Sequence, residues 1–526
     1  MNRKKVYINS IKKIGRRNIL MGTIILTLAG FITRVIGFFY KIFLSKVMGA
    51  EWLGIYQLIF PVYSIAFTIY ATGIQTSISR LVAAEMGKRN HKNVGKILKI
   101  GLLLSVSVAS FLSILLFKFS ETVAYHFLLE PRSAASLKIL SLVFPFCAVT
   151  SSINGYYYGL KKAGVPASTQ LLEQIIRVIV VYIAAYTMGK GNLKVTCELA
   201  VFGLVVGEIA SGLYNFLSLF VTKSPKDMLY PGPDPSAVSD KNRKIIKNIL
   251  TLSIPLSINR LLINVLHSIE TVLIPAMLKR SGLSTEMALS TYGTLTGMSM
   301  PFIMFPTAVI NALAVLLLPT VSEAQAMDNA DLIGKTSSIS IKYSLLIGIM
   351  STGIFLIFGK DLGITVFNSE EAGRYLIILA WLCPLIYLTT TLGSIINGLG
   401  KAHITFINSV TGTIAKIIII IISVPKKGID GYLAALLIGQ LIVTFMDSYY
   451  IVRNINLQQF DAVNSLLKPG IIVAAAGYLM KCIYDYMHKI TQIHQTVFLL
   501  CYCLLFCVIC IILFAITKTI SKSDFK

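Results

Sequence analysis

The feature that most constrains this chain is a series of continuous apolar runs, each about twenty residues long, that recurs from one end to the other. At about 1.5 Å of rise per residue, a helix of that length crosses the roughly 30 Å hydrocarbon core of a bilayer. We count fourteen runs: 20–46, 54–75, 97–120, 136–159, 168–188, 198–222, 248–278, 290–318, 340–359, 374–398, 404–424, 431–452, 467–487 and 495–517. The runs are unbroken rather than alternating, so they predict an all-α polytopic membrane protein of 14 transmembrane helices and not a barrel. With 55% hydrophobic and 13% charged residues and a mean hydropathy of +0.75, the chain lies outside the range of a soluble enzyme.

A formal charge of +25 in a soluble protein would suggest nucleic acid; in a membrane protein it first reports orientation. The densest basic segments, "MNRKKVYINSIKKIGRR", Arg80 to Lys99 and Lys223 to Lys247, predict both termini in the cytoplasm at the cell membrane, with attraction for membrane lipids and no nucleic-acid partner. The basic start leads into a full-length span without a convincing cleavage site. Four of the eight cysteines, Cys501, Cys503, Cys507 and Cys510, sit in "CYCLLFCVIC" with no His or carboxylate beside them, so they read as small apolar residues. No metal and no cofactor is expected, and no phosphate-binding Gly-rich loop with Lys-Ser/Thr is present for direct use of ATP.

The hydrophilic connection "TKSPKDMLYPGPDPSAVSDKNRKIIKN" divides twelve spans into six and six. The predicted organisation is a basic tail (1–19), a first six-helix bundle (20–222), a cytoplasmic linker (223–247), a second bundle (248–453), and an appended helix pair with its tail (454–526). Duplication is visible within the chain. "INGYYYGLKKAGVPASTQLLEQIIR" from Ile153 resembles "INGLGKAHITFINSVTGTIAK" from Ile396, with a four-residue difference assigned to the connection and Arg177 facing Lys416. "LTLAGFITRV" and "LTLSIPLSINRL" likewise put Arg34 and Arg260 in the first helix of each half, which predicts two parallel repeats.

Polar residues interrupt these apolar helices in patterns. Arg260, Asn264, His267 and Thr271 share one stripe of the seventh span, with Glu270 near its outer end. In the first span Thr27, Arg34, Lys41 and Ser45 form a similar stripe, with Gly30 and Gly37 beside it. The fifth span carries Glu173 and Arg177 one turn apart, and the sixth carries Glu208 among small residues. An Arg at mid-membrane costs about 2.5–3.5 kcal/mol on insertion scales, so these groups require a polar interior. Arg34 and Arg260, at matching places in the repeats, suit an anion held from two sides. Glu173 and Arg177 also read as an intrahelical pair, and the remaining polar groups as ties between helices. Pro61, Pro145, Pro255, Pro275, Pro301, Pro306 and Pro384 lie in or at the ends of spans, where they kink helices.

"TRVIGFFYKIFLSKVMGAEWLGIYQL", "LEQIIRV", "YGTLTGMSMPFIMFPTAVINALAVLLLPTVSEA" and "INGLGKA" together resemble the stage V sporulation protein B family of polysaccharide and lipid-linked precursor exporters. That family shares a superfamily with lipid II flippases and multidrug and toxic compound extruders. The resemblance covers most of the first 450 residues. It implies a V-shaped pair of six-helix lobes around a cationic cavity, and a flippase that carries a polyprenyl-diphosphate-linked saccharide by alternating access to the outer leaflet. The cargo implied is a peptidoglycan precursor such as lipid II, for spore cortex or cell wall, with enzymes of peptidoglycan synthesis as further partners.

Arg34 matches the Arg of the family's Ser/Thr-Arg-x-x-Gly-Phe motif, and Arg260 matches its seventh-helix Arg in kind. Residues 467–517 correspond to the helix pair that forms a lipid groove in lipid II flippases. Where those flippases have Arg-Asp after Gly-Phe, this chain has Tyr40 and Lys41. The expected substrate-binding set is therefore Arg34, Lys41, Glu173, Arg177, Arg260, Asn264 and His267, with Glu208 and Glu270 as candidates for ion coupling. Two other readings stay open: a cation-coupled exporter of organic cations, and a non-transporting scaffold for wall synthesis.

Overall fold

The computed structural model describes residues 2–190, 195–221, 240–457, 460–490 and 495–520, and every regular element among them is helical. The predicted linker lies largely outside the described residues, as do the last residues, 521–526. Helix α1 (Asn2–Phe67), which is two helices meeting at a kink, runs through a π-helical turn, Thr68–Thr72, into α2 (Gly73–Gly87), so the first two predicted spans lie on one broken rod. The rod departs from helical geometry at Gly49, whose φ of 76° and ψ of 173° suit a residue without a Cβ. The other elements of the first half are α3 (His91–Thr122), α4 (Ala134–Ser141), α5 (Val143–Gly159), α6 (Gly164–Lys190) and α7 (Cys197–Val221).

Helix α8 (Asn242–Arg280) opens the second half, followed by α9 (Thr285–Gly293), a π-helical stretch Thr294–Ser299, α10 (Met300–Met304), α11 (Thr307–Ala326) and α12 (Ala330–Phe367). Then come α13 (Glu370–Leu379), α14 (Leu382–Gly398), α15 (Ala402–Lys427) and α16 (Ile429–Asn454), with α17 (Lys468–Ile490) and α18 (Gln495–Ile516) last. Among the described residues, 11 helices are long and apolar enough to cross a membrane, or 13 if the bent pairs α4–α5 and α13–α14 each count as one span. The rod Ile24–Gly87, which holds two predicted spans, counts once there.

The chain packs as two units, Met1–Tyr40 with Ile55–Val272, and Lys41–Gly54 with Leu273–Lys526. In the first unit the core is Ile78, Val82, Val94, Ile153, Tyr157 and Ile249, contributed by α2, α3, α5 and the start of α8. Asp240 ties α8 to that unit. Its backbone N–H donates to Asn93 Oδ1 (3.0 Å), and its carboxylate accepts from Asn93 Nδ2 (3.3 Å) and Lys244 Nζ (2.7 Å). In the second unit Val321, Ile395, Ile396 and Ile451 form the core. Helices α17 and α18 join it on α12 through Phe358, Tyr484 and Phe506, and Lys481 pairs with Asp361 at 2.7 Å.

The two prolines that head α5 and α14 explain the two sharp bends, of 46° and 51°. Pro145 and Pro384 have no N–H, so the carbonyls of Ser141 and Ala380, four residues earlier, lose their helical partners. A hydroxyl from the preceding long helix takes each one: Ser113 Oγ donates to Ser141 O at 2.7 Å, and Thr352 Oγ1 to Ala380 O at 3.0 Å. In lipid an orphaned carbonyl has no water to fall back on, so this replacement is what makes the bend tolerable.

Those two sites are the same number of residues apart (380 − 141 = 239), and other backbone landmarks keep that register. The left-handed residues Arg89, Leu129 and Lys161 recur as Asp328, Asn368 and Gly400. Asn90 and Asn329 each cap the next helix, accepting from Asn93 N (3.3 Å) and Leu332 N (3.0 Å). Arg177 and Lys416 fall in the same register, but the two Ile-Asn-Gly tripeptides do not. Ile153 and Ile396 lie one helical turn out of it, so the four-residue difference expected in the connection is not there. The turns after α5 and α14 are alike, and the matching tripeptides are displaced along their helices.

Candidate functional site

Within the first unit, α6 and α7 cross at Gly207, where a Cβ would lie 3.0 Å from Glu173 O and 3.3 Å from Arg177 Cβ. That close approach brings Glu208 beside the pair that the fifth span predicts. Glu173 and Arg177 form an i,i+4 ion pair through Oε1 and Nη2, with side chains 21% and 16% exposed, so the intrahelical reading of these two residues is realised. Glu208 is 5% exposed and accepts from Ser211 Oγ at 3.4 Å, with the Cys147 thiol also in hydrogen-bond reach. Ser211 in turn meets Thr150 Oγ1 of α5 at 3.2 Å, and Thr169 Oγ1 of α6 donates to Asn215 Oδ1 at 2.9 Å.

The rod supplies neutral polar groups around this charged trio. Tyr40 and Tyr56 lie within electrostatic reach of Arg177, and Tyr63 and Tyr70 within reach of Cys147 and Glu208. Tyr63 Oη contacts Cys147 Sγ at 3.5 Å. Three buried atoms of this group have no hydrogen-bond partner: Tyr40 Oη, Tyr70 Oη and Arg177 Nε. The tyrosines are spread over two predicted spans in which a lone Tyr reads as ordinary helix content, so only their convergence identifies them.

The stripe on α8 divides by environment. Asn264 Nδ2 donates to Thr68 Oγ1 at 2.6 Å and approaches Ser64 O at 3.4 Å, which fixes α8 to the π-helical turn of the rod. Arg260 and His267 are exposed on faces that protein does not cover, while Glu270 is buried, with His267 Nδ1 3.5 Å from its Oε2. Arg34 is exposed on α1 and belongs to the same unit as Arg260. Lys41 is half-buried and belongs to the other unit.

The second unit carries a matching node with different chemistry. At the crossing of α15 and α16, Gly439 approaches Gly412 O and Lys416 Cβ just as Gly207 approaches Glu173 O and Arg177 Cβ. This equivalence is seven residues shorter than the 239-residue register of the preceding helices, and it aligns Glu208 with Gln440 and Asn215 with Asp447. Gln440 Nε2 donates to Thr389 Oγ1 at 3.0 Å, and Thr389 meets Thr444 at 2.8 Å. Asn408 Nδ2 donates to Asp447 Oδ1 at 2.7 Å, where the first unit has Thr169 and Asn215. Asp447 carries no signature of its own in the sequence, where it stands near the end of an apolar span. Among the described residues no cluster of three or more His, Cys, Asp or Glu is arranged to hold a metal.

Comparison with known proteins follows from this architecture. Stage V sporulation protein B of Bacillus subtilis (strain 168) is 26% identical over 436 residues, 82% of this chain and 83% of that protein. The fold recurs in solved structures, among them these two. One is a multidrug resistance MATE family transporter of the MOP superfamily in an inward-facing conformation, with TM-score 0.65 and 16% identity over 82% of this chain and 98% of that one. The other is lipid II flippase MurJ in its inward closed conformation, with TM-score 0.63 and 14% identity over 92% and 98%. Residues 19–325 match the sequence profile of the family described as "Polysaccharide biosynthesis protein". That match spans more than half the chain, and the chain belongs to the polysaccharide biosynthesis protein family.

Proposed function

We propose that this protein is a secondary transporter of fourteen spans, with both termini cytoplasmic, that moves a lipid-linked saccharide with a diphosphate headgroup across the membrane. The relatives whose names state an activity are a transporter and a flippase, and the chain is read as a transporter and not as an enzyme. The observation that carries the reading is the sorting of the intramembrane arginines. Arg177 is largely buried and paired with Glu173, and Arg34 and Arg260, one from the first span of each half, are exposed and belong to a single unit. Guanidinium groups grip a phosphate by paired hydrogen bonds, and the lipid tail stays in the bilayer while the headgroup crosses beside them. An exporter of organic cations would need accessible carboxylates, but Glu208 and Glu270 are buried.

Lipid II is the cargo to test first, because MurJ shares both fold and chain length with this protein. The assay is headgroup accessibility of fluorescent lipid II in proteoliposomes, comparing wild type with Arg34→Ala/Arg260→Ala. The expected outcome is leaflet exchange with the wild type and none with the double variant, at equal membrane incorporation. Normal exchange by the double variant would refute the arginine assignment. If the wild type moves no lipid II in vesicles that report correctly, the cargo assignment fails.

A further inference from the structure

We propose that the buried cluster in the first unit is a proton-binding site, in which Glu208 carries the proton and Arg177 is a fixed counter-charge that Glu173 and Glu208 share. Two carboxylates and one guanidinium meet at this crossing, and the charges that act on Glu208 are those of Glu173 and Arg177; on the rod, Arg34 is exposed and Lys41 belongs to the second unit. The rod contributes Tyr40, Tyr56, Tyr63 and Tyr70, and α5 contributes Cys147 with Thr150. Lys138 of α4 is exposed and paired with Glu121, and Glu198 lies in the first turn of α7, more than two turns from Glu208. With both carboxylates ionised the cluster would hold an uncompensated negative charge, which a low-dielectric interior does not tolerate. Arg does not give up its proton, so one carboxyl must hold a guest cation.

Geometry assigns the guest. Glu173 already has the guanidinium through Nη2, while Glu208 has a long contact to the Ser211 hydroxyl and the weak donor of the Cys147 thiol. The unpartnered atoms nearby are Tyr40 Oη, Tyr70 Oη and Arg177 Nε, and the guanidinium among them is a donor only. A metal ion needs several oxygen acceptors around it and is repelled by an adjacent guanidinium, whereas a proton needs one carboxylate oxygen and water to reach it. The orphaned donors are where such water sits. When Glu208 releases its proton to that water, Arg177 Nε–H is the donor at hand to turn toward the new carboxylate.

The second unit shows that the acids are not needed to build the crossing. At the positions of Glu173, Arg177 and Glu208 it has Gly412, Lys416 and Gln440, and the helices meet through the same glycine contact. Gln440 is the neutral isostere of a protonated Glu, and it donates to Thr389, the counterpart of Thr150. The first unit thus adds an exchangeable proton to a node that the second unit closes with a permanent amide. Its use in coupling rests on the transporter reading, but the protonation itself does not.

The test is infrared spectroscopy of the full-length protein in lipid at neutral pH, reading the protonated-carboxyl band. Relative to wild type, Glu208→Gln should lose the intensity of one carboxyl per chain. Glu173→Gln should lose the same intensity, because Arg177 is then free to neutralise an ionised Glu208. Arg177→Met should gain one carboxyl, since both acids must then be protonated. An unchanged band in both Gln variants overturns the proposal, and so does a wild-type band that appears only when sodium is replaced by a bulky organic cation, which would make sodium the guest. Because Glu208→Gln reproduces the chemistry of the second unit, it should fold normally, and a thermal unfolding scan checks that. The expected band pattern without lipid II movement would leave the proton site standing and reject the cargo.

Discussion

Replacing Arg177 with Met removes the only formal positive charge of the buried cluster while keeping most of the side-chain volume. Glu173 then loses its partner at a site where it is 21% exposed, and like Glu208 it has to become neutral by taking up a proton. An ordinary glutamic acid has a pKa of about 4.3 in the unfolded chain, so holding its proton at pH 7 costs up to about 2.7 × 1.36, or roughly 3.7 kcal/mol. At pH 5 the same arithmetic leaves about 1 kcal/mol. The sign follows from linkage: a carboxyl kept neutral in the folded state and ionised in the unfolded state loses stability as pH rises above the unfolded pKa. Breaking a buried pair by deleting one partner costs about 3–5 kcal/mol in general, which agrees in size. The measurement is the unfolding midpoint of purified wild type and Arg177→Met in detergent at pH 5 and pH 7. The variant should be strongly destabilised at pH 7 and approach the wild type at pH 5. Equal destabilisation at both pH values would mean that lost packing dominates and that the charge-counting argument is wrong.

Three further outcomes follow from single contacts. Ser113→Ala and Thr352→Val each orphan a carbonyl that a proline has already freed, so each should lower stability by about 1–3 kcal/mol; the double variant should lose the sum, because the two sites share no partner. Asn408→Ala leaves the Asp447 carboxylate buried without its amide donor at 2.7 Å and should cost about 1–3 kcal/mol, whereas Asn408→Asp should cost more by adding a like charge. Asp461 accepts from Val463 N (2.9 Å), Asn464 N (3.4 Å) and Asn464 Nδ2 (2.6 Å), and those donors hold its pKa below the usual carboxylate range. Its support for the start of the thirteenth predicted span is therefore present above the ordinary carboxylate pKa and is lost as pH falls through the lower folded value. Hydrogen exchange at Val463 and Asn464 should accelerate over that acid range in wild type and be fast throughout in Asp461→Ala.

The sequence makes some of this legible because some of the physics is local. An unbroken apolar run must be helical in lipid, whatever it packs against. Glu173 and Arg177 are one turn apart, so their pairing can be read from spacing alone. Pro145 and Pro384 mark the bends, although the hydroxyls that repair them, Ser113 and Thr352, belong to other helices and have no signature of their own. The repeat is visible but misregistered by tripeptide matching: Ile-Asn-Gly recurs one turn out of place, while the left-handed caps fix the correspondence of the earlier helices and Gly207 and Gly439, seven residues closer in sequence, fix that of α7 and α16. The neighbours of Glu208 come from α1, α5 and α6, and only tertiary structure brings them together.

The corrected register changes how the two halves compare. Glu208 and Asn215 of α7 are seven residues apart, as are their counterparts Gln440 and Asp447 on α16, so each pair lies on one face about two turns apart. Each half therefore places one carboxylate and one carboxamide at these two positions, in opposite order: acid then amide in α7, amide then acid in α16. An amide and a protonated acid are nearly the same shape, so the exchange leaves the packing of the crossing intact while moving the one titratable group by about 10 Å along the helix. The basic residue at the crossing, Arg177 or Lys416, does not move with it. In α7 the acid stands beside that cation and competes with Glu173 for it, which is the condition for an exchangeable proton. In α16 the acid is bound to Asn408, two turns from the equivalent position. The asymmetry between the halves thus lies in where a single carboxyl stands relative to a fixed cation, on helices that pack in the same way.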